Sequence, residues 1–358
     1  MKKKKNKTNN KGNKIKKDTV QLELMGNRYE KNLKIPITHY PIDFNAIYCP
    51  HCGSGNVIKK ATIEHRYRDP SQIYYCKKEK IKFLVDPNFG FQYPLFIIDQ
   101  ILDLFVQGCD AEFIVDRVIK DAKSRGLTIT ITKQSILNIV RRACKLLSEF
   151  EFILYHEVTS DEWQIDDCYQ KVPKKRYLEQ KITLSELERK EKYKFVHAYI
   201  TNVLAVETRY WLAAPVTLNR DTCASITALN IGWNRSKYQP EFIRSDAWQP
   251  HVKGAHSIFP NADIEVRSKE EDKTWTCYIE SMNRTMRKGP LKKGLCFQKI
   301  ELLQASADLT RIWYDFLKIH SELGKTPAQA AGITIPFKGW DDLLRYAYYI
   351  TRYVKFIG

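Results

Sequence analysis

Two stretches place acidic side chains where they could do chemistry. Glu241–Ser245 predicts a short β-strand that carries Asp246 to its C-terminal end, where the loops of α/β sheets commonly hold functional groups. Downstream, Trp275, Tyr278, Ile279, Met282 and Met286 share one arc of about 100° at 3.6 residues per turn, so Trp275–Lys288 predicts an amphipathic helix. Its other side carries Glu280, Asn283, Arg284 and Arg287. A carboxylate framed by guanidinium groups and an amide suits a site that holds a metal ion and a phosphate together, since the metal takes oxygen ligands and the phosphate takes arginine. A third segment, Glu162–Tyr169, reads as a strand bearing the adjacent acids Asp166 and Asp167. Strand alternation puts Asp166 on the face of Gln164 and Cys168 and Asp167 on the other, so only one of the pair can point at a given site. Taken singly each acid has a plainer reading: a strand-end Asp forms turns, and a helical Glu is a solvated side chain.

The elements that must position these acids alternate in type. After the Trp163 strand comes a charged segment, Lys171–Lys192, longer than a hairpin loop and expected to be helical in part. Phe195–Leu204 and Arg209–Val216 predict two strands joined by a turn near Glu207 and Thr208, and Asp221–Asn230 predicts a helix. The run ADIEVR adds a strand after Asp246. Periodicity alone supports a mixed α/β fold and no more.

The set WQIDDCY, FIRSD and YIESMNRTMRKG, with Glu280 34 positions after Asp246, resembles the Asp-Asp-Glu triad of insertion-sequence DDE transposases with a retroviral-integrase-type catalytic core. The later IWYDFLKIHSELGKTPAQAAGI is similar to the C-terminal signature of that family. The likeness spans roughly residues 45–333. It implies an RNase-H-like core at residues 158–333, followed by a C-terminal tail at 334–358. It also implies that Asp166, Asp246 and Glu280 bind two Mg²⁺ or Mn²⁺ ions. Asp166 aligns best as the first acid, with Asp161 and Asp167 as near alternatives. The implied chemistry is a pair of in-line phosphoryl substitutions, in which water cuts a strand and the freed 3′ hydroxyl attacks target DNA; no protein nucleophile is needed. The implied partners are terminal inverted repeats, target DNA and a second copy of the chain, at least a dimer on DNA. Arg284, Arg287 and Lys288 are expected as DNA-backbone contacts. Two rival readings keep the fold and change the activity: a catalytically inactive, transposase-derived DNA-binding protein, and a structure-specific nuclease.

Ahead of the core, residues 45–90 hold Cys49-Pro-His-Cys52 and then Cys76-Lys-Lys-Glu79, the outline of a four-cysteine zinc ribbon with the fourth thiol replaced. Either Glu79, His65 or His51 completes a weaker Zn²⁺ site with Cys49, Cys52 and Cys76, or the ribbon is a metal-free hairpin. Residues 93–150 predict three helices, Leu95–Val106, Ala111–Lys123 and Thr132–Ser148. The basic third helix fits a helix-turn-helix unit, with Lys133, Gln134 and Asn138 toward base edges and Arg141 and Arg142 toward phosphate. A plain helical packing module is the alternative. His251 and His256 follow Asp246, but no GxSxG-like elbow supplies a serine nucleophile, so they read as surface or core histidines.

Charge agrees with a polyanionic partner. Lys and Arg outnumber Asp and Glu 59 to 41, a net +18, and half of that excess lies in nine lysines among the first 17 residues. Residues 1–20 are a Lys/Asn arm too polar to fold alone. The nine cysteines are dispersed and follow no secretory leader, and Asp99 and Asp103 break the longest apolar run. These features lead to the expectation of an intracellular protein of the cytoplasm or nucleoid, with no membrane partner.

Overall fold

The computed structural model describes residues 47, 49–153, 158–173, 195–267, 275–292, 297, 299–333 and 337–353. The N-terminal arm and most of the charged segment after Lys171 lie outside the described residues. Three strands come first: β1 (Val57–Ile63), β2 (Ser71–Cys76) and β3 (Ile81–Val85), an antiparallel sheet in sequential order. Then follow α1 (Leu95–Val106), α2 (Ala111–Ser124) and α3 (Lys133–Ile153). α1 begins after Pro94 and closes before Gly108, whose positive φ of 81° no side-chain-bearing residue takes without strain.

The remaining elements are β4 (Glu162–Pro173), β5 (Phe195–Ala205), β6 (Trp211–Ala213), β7 (Val216–Thr217), α4 (Thr222–Ser236), β8 (Phe242–Ser245), α5 (Gln249–Ile258), β9 (Asp263–Val266), α6 (Cys277–Lys288), α7 (Ile300–Phe316), α8 (Pro327–Ala330) and α9 (Trp340–Tyr353). Their sheet runs β6-β5-β4-β8-β9, with β7 on β5. β5 is antiparallel to β4 and β6, whereas β8 and β9 run parallel to β4. A hairpin pair followed by parallel strands on the far side of the first strand is the RNase-H-like arrangement, so the core is a mixed-sheet α/β fold.

β4 is the central strand, and Trp163, Gln164, Ile165 and Asp166 are all buried, as a strand covered on both faces requires. On one face Cys168 and Val172 pack with Ile200, Ile279, Met282, Met286 and Leu303, which seats α6 and α7. On the other, Gly232 of α4 approaches Trp163, and Trp163 meets Phe259 edge-on at 5.3 Å.

The stretch expected as a C-terminal tail contains α9, whose Tyr346 packs edge-on against Phe150 of α3 at 5.7 Å. α3 itself is a single 21-residue helix whose C-terminal half is fastened to the core. There Glu151 and Arg311 of α7 form a buried ion pair, and Arg235 of α4 lies 3.8 Å away. Among the described residues no helix is long and apolar enough to cross a membrane.

Candidate active site

β4 holds α6 through one face of its own side chains. Gln164 Oε1 accepts from the Ile279 backbone N–H at 3.1 Å, satisfying a first-turn donor of α6. Asn283 Nδ2 donates to Asp166 Oδ2 at 2.8 Å in the middle of the helix, and Gln170 donates to the Leu291 carbonyl just past its end. Strand and helix therefore run in the same direction, and Glu280 falls between the first two ties. It sits one turn before Asn283, so the two share a helix face. Thr276 Oγ1 donates to Glu280 Oε1 at 3.2 Å. Asn202, opposite Asp166 on β5, donates to Asn283 Oδ1 at 2.8 Å, so the amide that touches Asp166 is itself oriented.

Asp246 comes level with Asp166 along β8. Ile165 of β4 pairs with Ser245 of β8 in parallel register, so Asp166 and Asp246 are each the next residue past that pair. Asp246 Oδ1 accepts from the Trp248 backbone N–H at 3.3 Å and lies 3.4 Å from His251 Nδ1. Its Oδ2 lies 3.8 Å from Arg220, a guanidinium stacked 4.2 Å from the Trp248 ring centroid. Arg220 stands just before Asp221, which caps α4 by accepting from the Ala224 N–H at 2.9 Å.

Asp167, on the opposite face of β4, is used otherwise. Its Oδ1 accepts from Thr201 Oγ1 at 2.6 Å, and its Oδ2 meets Arg220 Nε at 2.7 Å and His251 Nε2 at 3.0 Å. Burial would raise its pKa, but the His251 hydrogen bond and charge, with Thr201 and Arg220, hold it below the ordinary aspartate value. Asp246 is lowered in the same way: burial opposes, and His251, the Trp248 N–H and Arg220 prevail. Burial would neutralise the His251 ring, yet its two carboxylate neighbours raise it to about 9.

The structure thus sets Asp166 and Asp246 level on neighbouring strands and Glu280 on the helix turn between the Gln164 and Asp166 ties, without closing the three on a point. Among the described residues the one group of three or more His, Cys, Asp or Glu whose ligand atoms lie within 4.8 Å of one another is Cys49, Cys52 and Cys76. The donor set of the three acids nevertheless fits a divalent ion of the Mg²⁺ type: it is all carboxylate oxygen, and Asp246 is kept ionised. Of the sequence alternatives, Asp167 is occupied by three partners, and Asp161 accepts from Tyr238 Oη at 2.6 Å beyond the start of β4.

The cysteine cluster has its own geometry. Cys52 and Cys76 sulfurs stand 3.7 Å apart, about the edge of a tetrahedron with Zn–S bonds of about 2.3 Å and far from a disulfide. The Glu79 N–H donates to Cys76 Sγ at 3.4 Å, and this bond helps to lower the Cys76 pKa. Glu79 therefore meets the cluster through its backbone, whereas His65 is hydrogen-bonded to Ser71 at 2.7 Å. Neither of them, nor His51, belongs to the three-sulfur group.

The residues expected at DNA fall into two sets. Arg284, Arg287 and Lys288 are exposed along α6. On α3, Lys133 pairs with Glu112, and Gln134 and Arg141 both donate to Asn138 Oδ1, at 2.8 and 3.2 Å. Arg142, one turn after Asn138, lies with its guanidinium 5.5 Å from the Phe91 ring centroid. Between them lies a cleft of about 840 Å³ lined by Asn138, Arg141, Arg142, Lys145, Glu149 and Tyr93. Asn202, Arg220 and Thr201 escaped the sequence reading, and His251, expected as a surface or core histidine, is buried in a role the sequence did not mark, because these roles depend on partners far away in the chain.

No protein-family model and no curated protein sequence matches the chain. Among solved structures it is similar to the HTLV-2 integrase catalytic core domain in complex with magnesium. The dimeric form is 13 % identical over 49 % of this chain and 98 % of that one, with a TM-score of 0.29. The trimeric form is 14 % identical over 49 % and 99 %, with the same score. The simian T-cell lymphotropic virus intasome in complex with PP2A regulatory subunit B56 gamma is 12 % identical over 57 % of this chain and 65 % of that one, again at 0.29. Scores this low lend no weight to any residue role.

Proposed function

We propose that the chain is a DDE transposase that cuts and joins DNA strands through Asp166, Asp246 and Glu280. The observation that carries this reading is the shared register: Asp166 and Asp246 each follow the Ile165–Ser245 pair, while Gln164 and Asp166 tie down the helix turns that flank Glu280. Two bound Mg²⁺ or Mn²⁺ ions would supply Lewis-acid charge for in-line phosphoryl substitution. The protein's share is to hold three hard oxygen donors on the central strand, past the end of its parallel neighbour and on the helix across from them, and to keep Asp246 ionised. Arg284, Arg287 and Lys288, exposed on the helix that carries Glu280, are placed to neutralise DNA phosphates beside the reacting strand. Gln134, Asn138 and Arg141 form a polar row on α3 that suits DNA recognition, with Lys145 toward phosphate. The DNA would be the terminal inverted repeats and the target, engaged by at least a dimer.

The test uses the full-length chain, Mn²⁺ and labelled duplexes taken from the DNA that flanks its gene. Wild type should give strand-transfer products, and Asp246→Asn and Glu280→Gln should each abolish them while still binding the duplex. Cleavage without joining would replace the proposal with a nuclease. Binding with no product from wild type would replace it with a non-catalytic DNA-binding protein.

A further inference from the structure

We propose that His251 is the positioning residue for Asp246, fixing which carboxylate oxygen of that acid is presented to a divalent ion; the inference builds on the metal-binding reading of Asp246 above. Asp246 lies in the turn beyond β8, where the sheet no longer holds it. Three groups converge on Oδ1: the Trp248 N–H at 3.3 Å, His251 Nδ1 at 3.4 Å and Ser245 Oγ at 3.5 Å. Oδ2 meets only Arg220 among the described residues, at 3.8 Å, beyond hydrogen-bond distance. The carboxylate is thus anchored by one oxygen and leaves the other for a ligand.

His251 is itself fixed at both ends, and at Nδ1 Ser245 Oγ stands 3.3 Å away and shares its contact with Asp246 Oδ1. Its side chain is 1 % exposed. Nε2 lies 3.0 Å from Asp167 Oδ2, and Asp167 is locked by Thr201 and Arg220. One turn on, Gly254 lets α5 press against α4, since a Cβ there would stand 2.7 Å from Ser225 Cβ. The imidazole is therefore a strut from β4 to the loop after β8. It ends on Asp167, the immediate neighbour of Asp166, and so adds a side-chain link between β4 and Asp246 to the Ile165–Ser245 backbone pairing. A carboxylate that binds metal through one oxygen depends on such outer partners, and their loss costs about 10–100-fold in affinity.

Mn²⁺ binding to the full-length chain, measured by titration calorimetry without DNA, tests the strut apart from catalysis. His251→Ala is expected to weaken binding about 10-fold or more. His251→Gln, which can still donate to one acid, should fall between it and wild type. A folded His251→Ala that binds Mn²⁺ as wild type does would overturn the inference. Should His251→Ala not fold, the Gln variant decides: unchanged affinity there also overturns it. Asp246→Asn separates the layers of the argument. If wild type binds and Asp246→Asn does not, the metal reading stands whatever His251 does. If both bind equally, Asp246 is no ligand and the strut has no metal to serve.

Discussion

Asn283 donates to Asp166 at 2.8 Å, and both side chains are buried. This bond ties the middle of α6 to the central strand and orients the first acid. A hydrogen bond to a charged group contributes about 1.5–3 kcal/mol. Asn283→Leu should lose about that much stability in urea denaturation, and Asn202→Leu, which removes the amide bond to Asn283 and leaves the Asn283–Asp166 bond in place, should lose less.

The Arg311–Glu151 pair fastens the third helix of the N-terminal region to the core. Arg311 also faces Asp308 at 4.0 Å and Asp315 at 3.6 Å, acids whose pKa burial raises, so it stands among three acids in a largely buried setting. Arg311→Met should therefore cost about 3–5 kcal/mol, the range for stranding buried charge. Glu151→Gln keeps the shape and leaves Arg311 two acidic partners, so its loss should be clearly smaller; equal losses would contradict this account of the network.

Asp86 gives a pH signature away from the site. Burial would raise its pKa, but Arg68 and the N–H groups of Asn88 and Gly90 hold it below the usual aspartate value. Its folded pKa lies below its unfolded one, so its stabilisation is complete above about pH 4 and is lost as pH falls through the folded value. The stability difference between wild type and Asp86→Asn should stay constant from pH 5 to 7 and narrow below pH 4, as read from urea melts across that range.

The three-cysteine cluster should hold zinc. Metal analysis of chain purified without chelator should find about one Zn²⁺ per molecule, with the fourth position taken by water or an added ligand. Cys49→Ser and Cys76→Ser should each abolish it, and a strong chelator should lower the melting temperature of wild type but not of either variant. Absence of zinc from the wild-type chain would favour the metal-free hairpin.

Much of the architecture could be read from local signals. Pro94 and Gly108 bracket α1, and strand alternation separated the faces of Asp166 and Asp167, which the structure turns toward Asn283 and His251 respectively. Where an end depends on tertiary contact, the sequence is silent. α4 runs to Ser236, six residues past the expected Asn230, and closes on Lys237 at a φ of 56°, a position that no glycine announces. Arg235, in its added turn, donates to the Leu212 carbonyl at 2.8 Å. His251 shows the same limit: 84 positions separate it from Asp167, and no local pattern marks a histidine that links two carboxylates.

The central claim is that Asp166, Asp246 and Glu280 bind divalent ions in common. The most direct measurement is anomalous diffraction from crystals of the full-length chain grown with Mn²⁺. The account predicts at least one Mn²⁺ peak within ligand distance of carboxylate oxygens from all three acids. Ordered side chains at those positions, with manganese absent between them in crystals shown to contain it elsewhere, would contradict it.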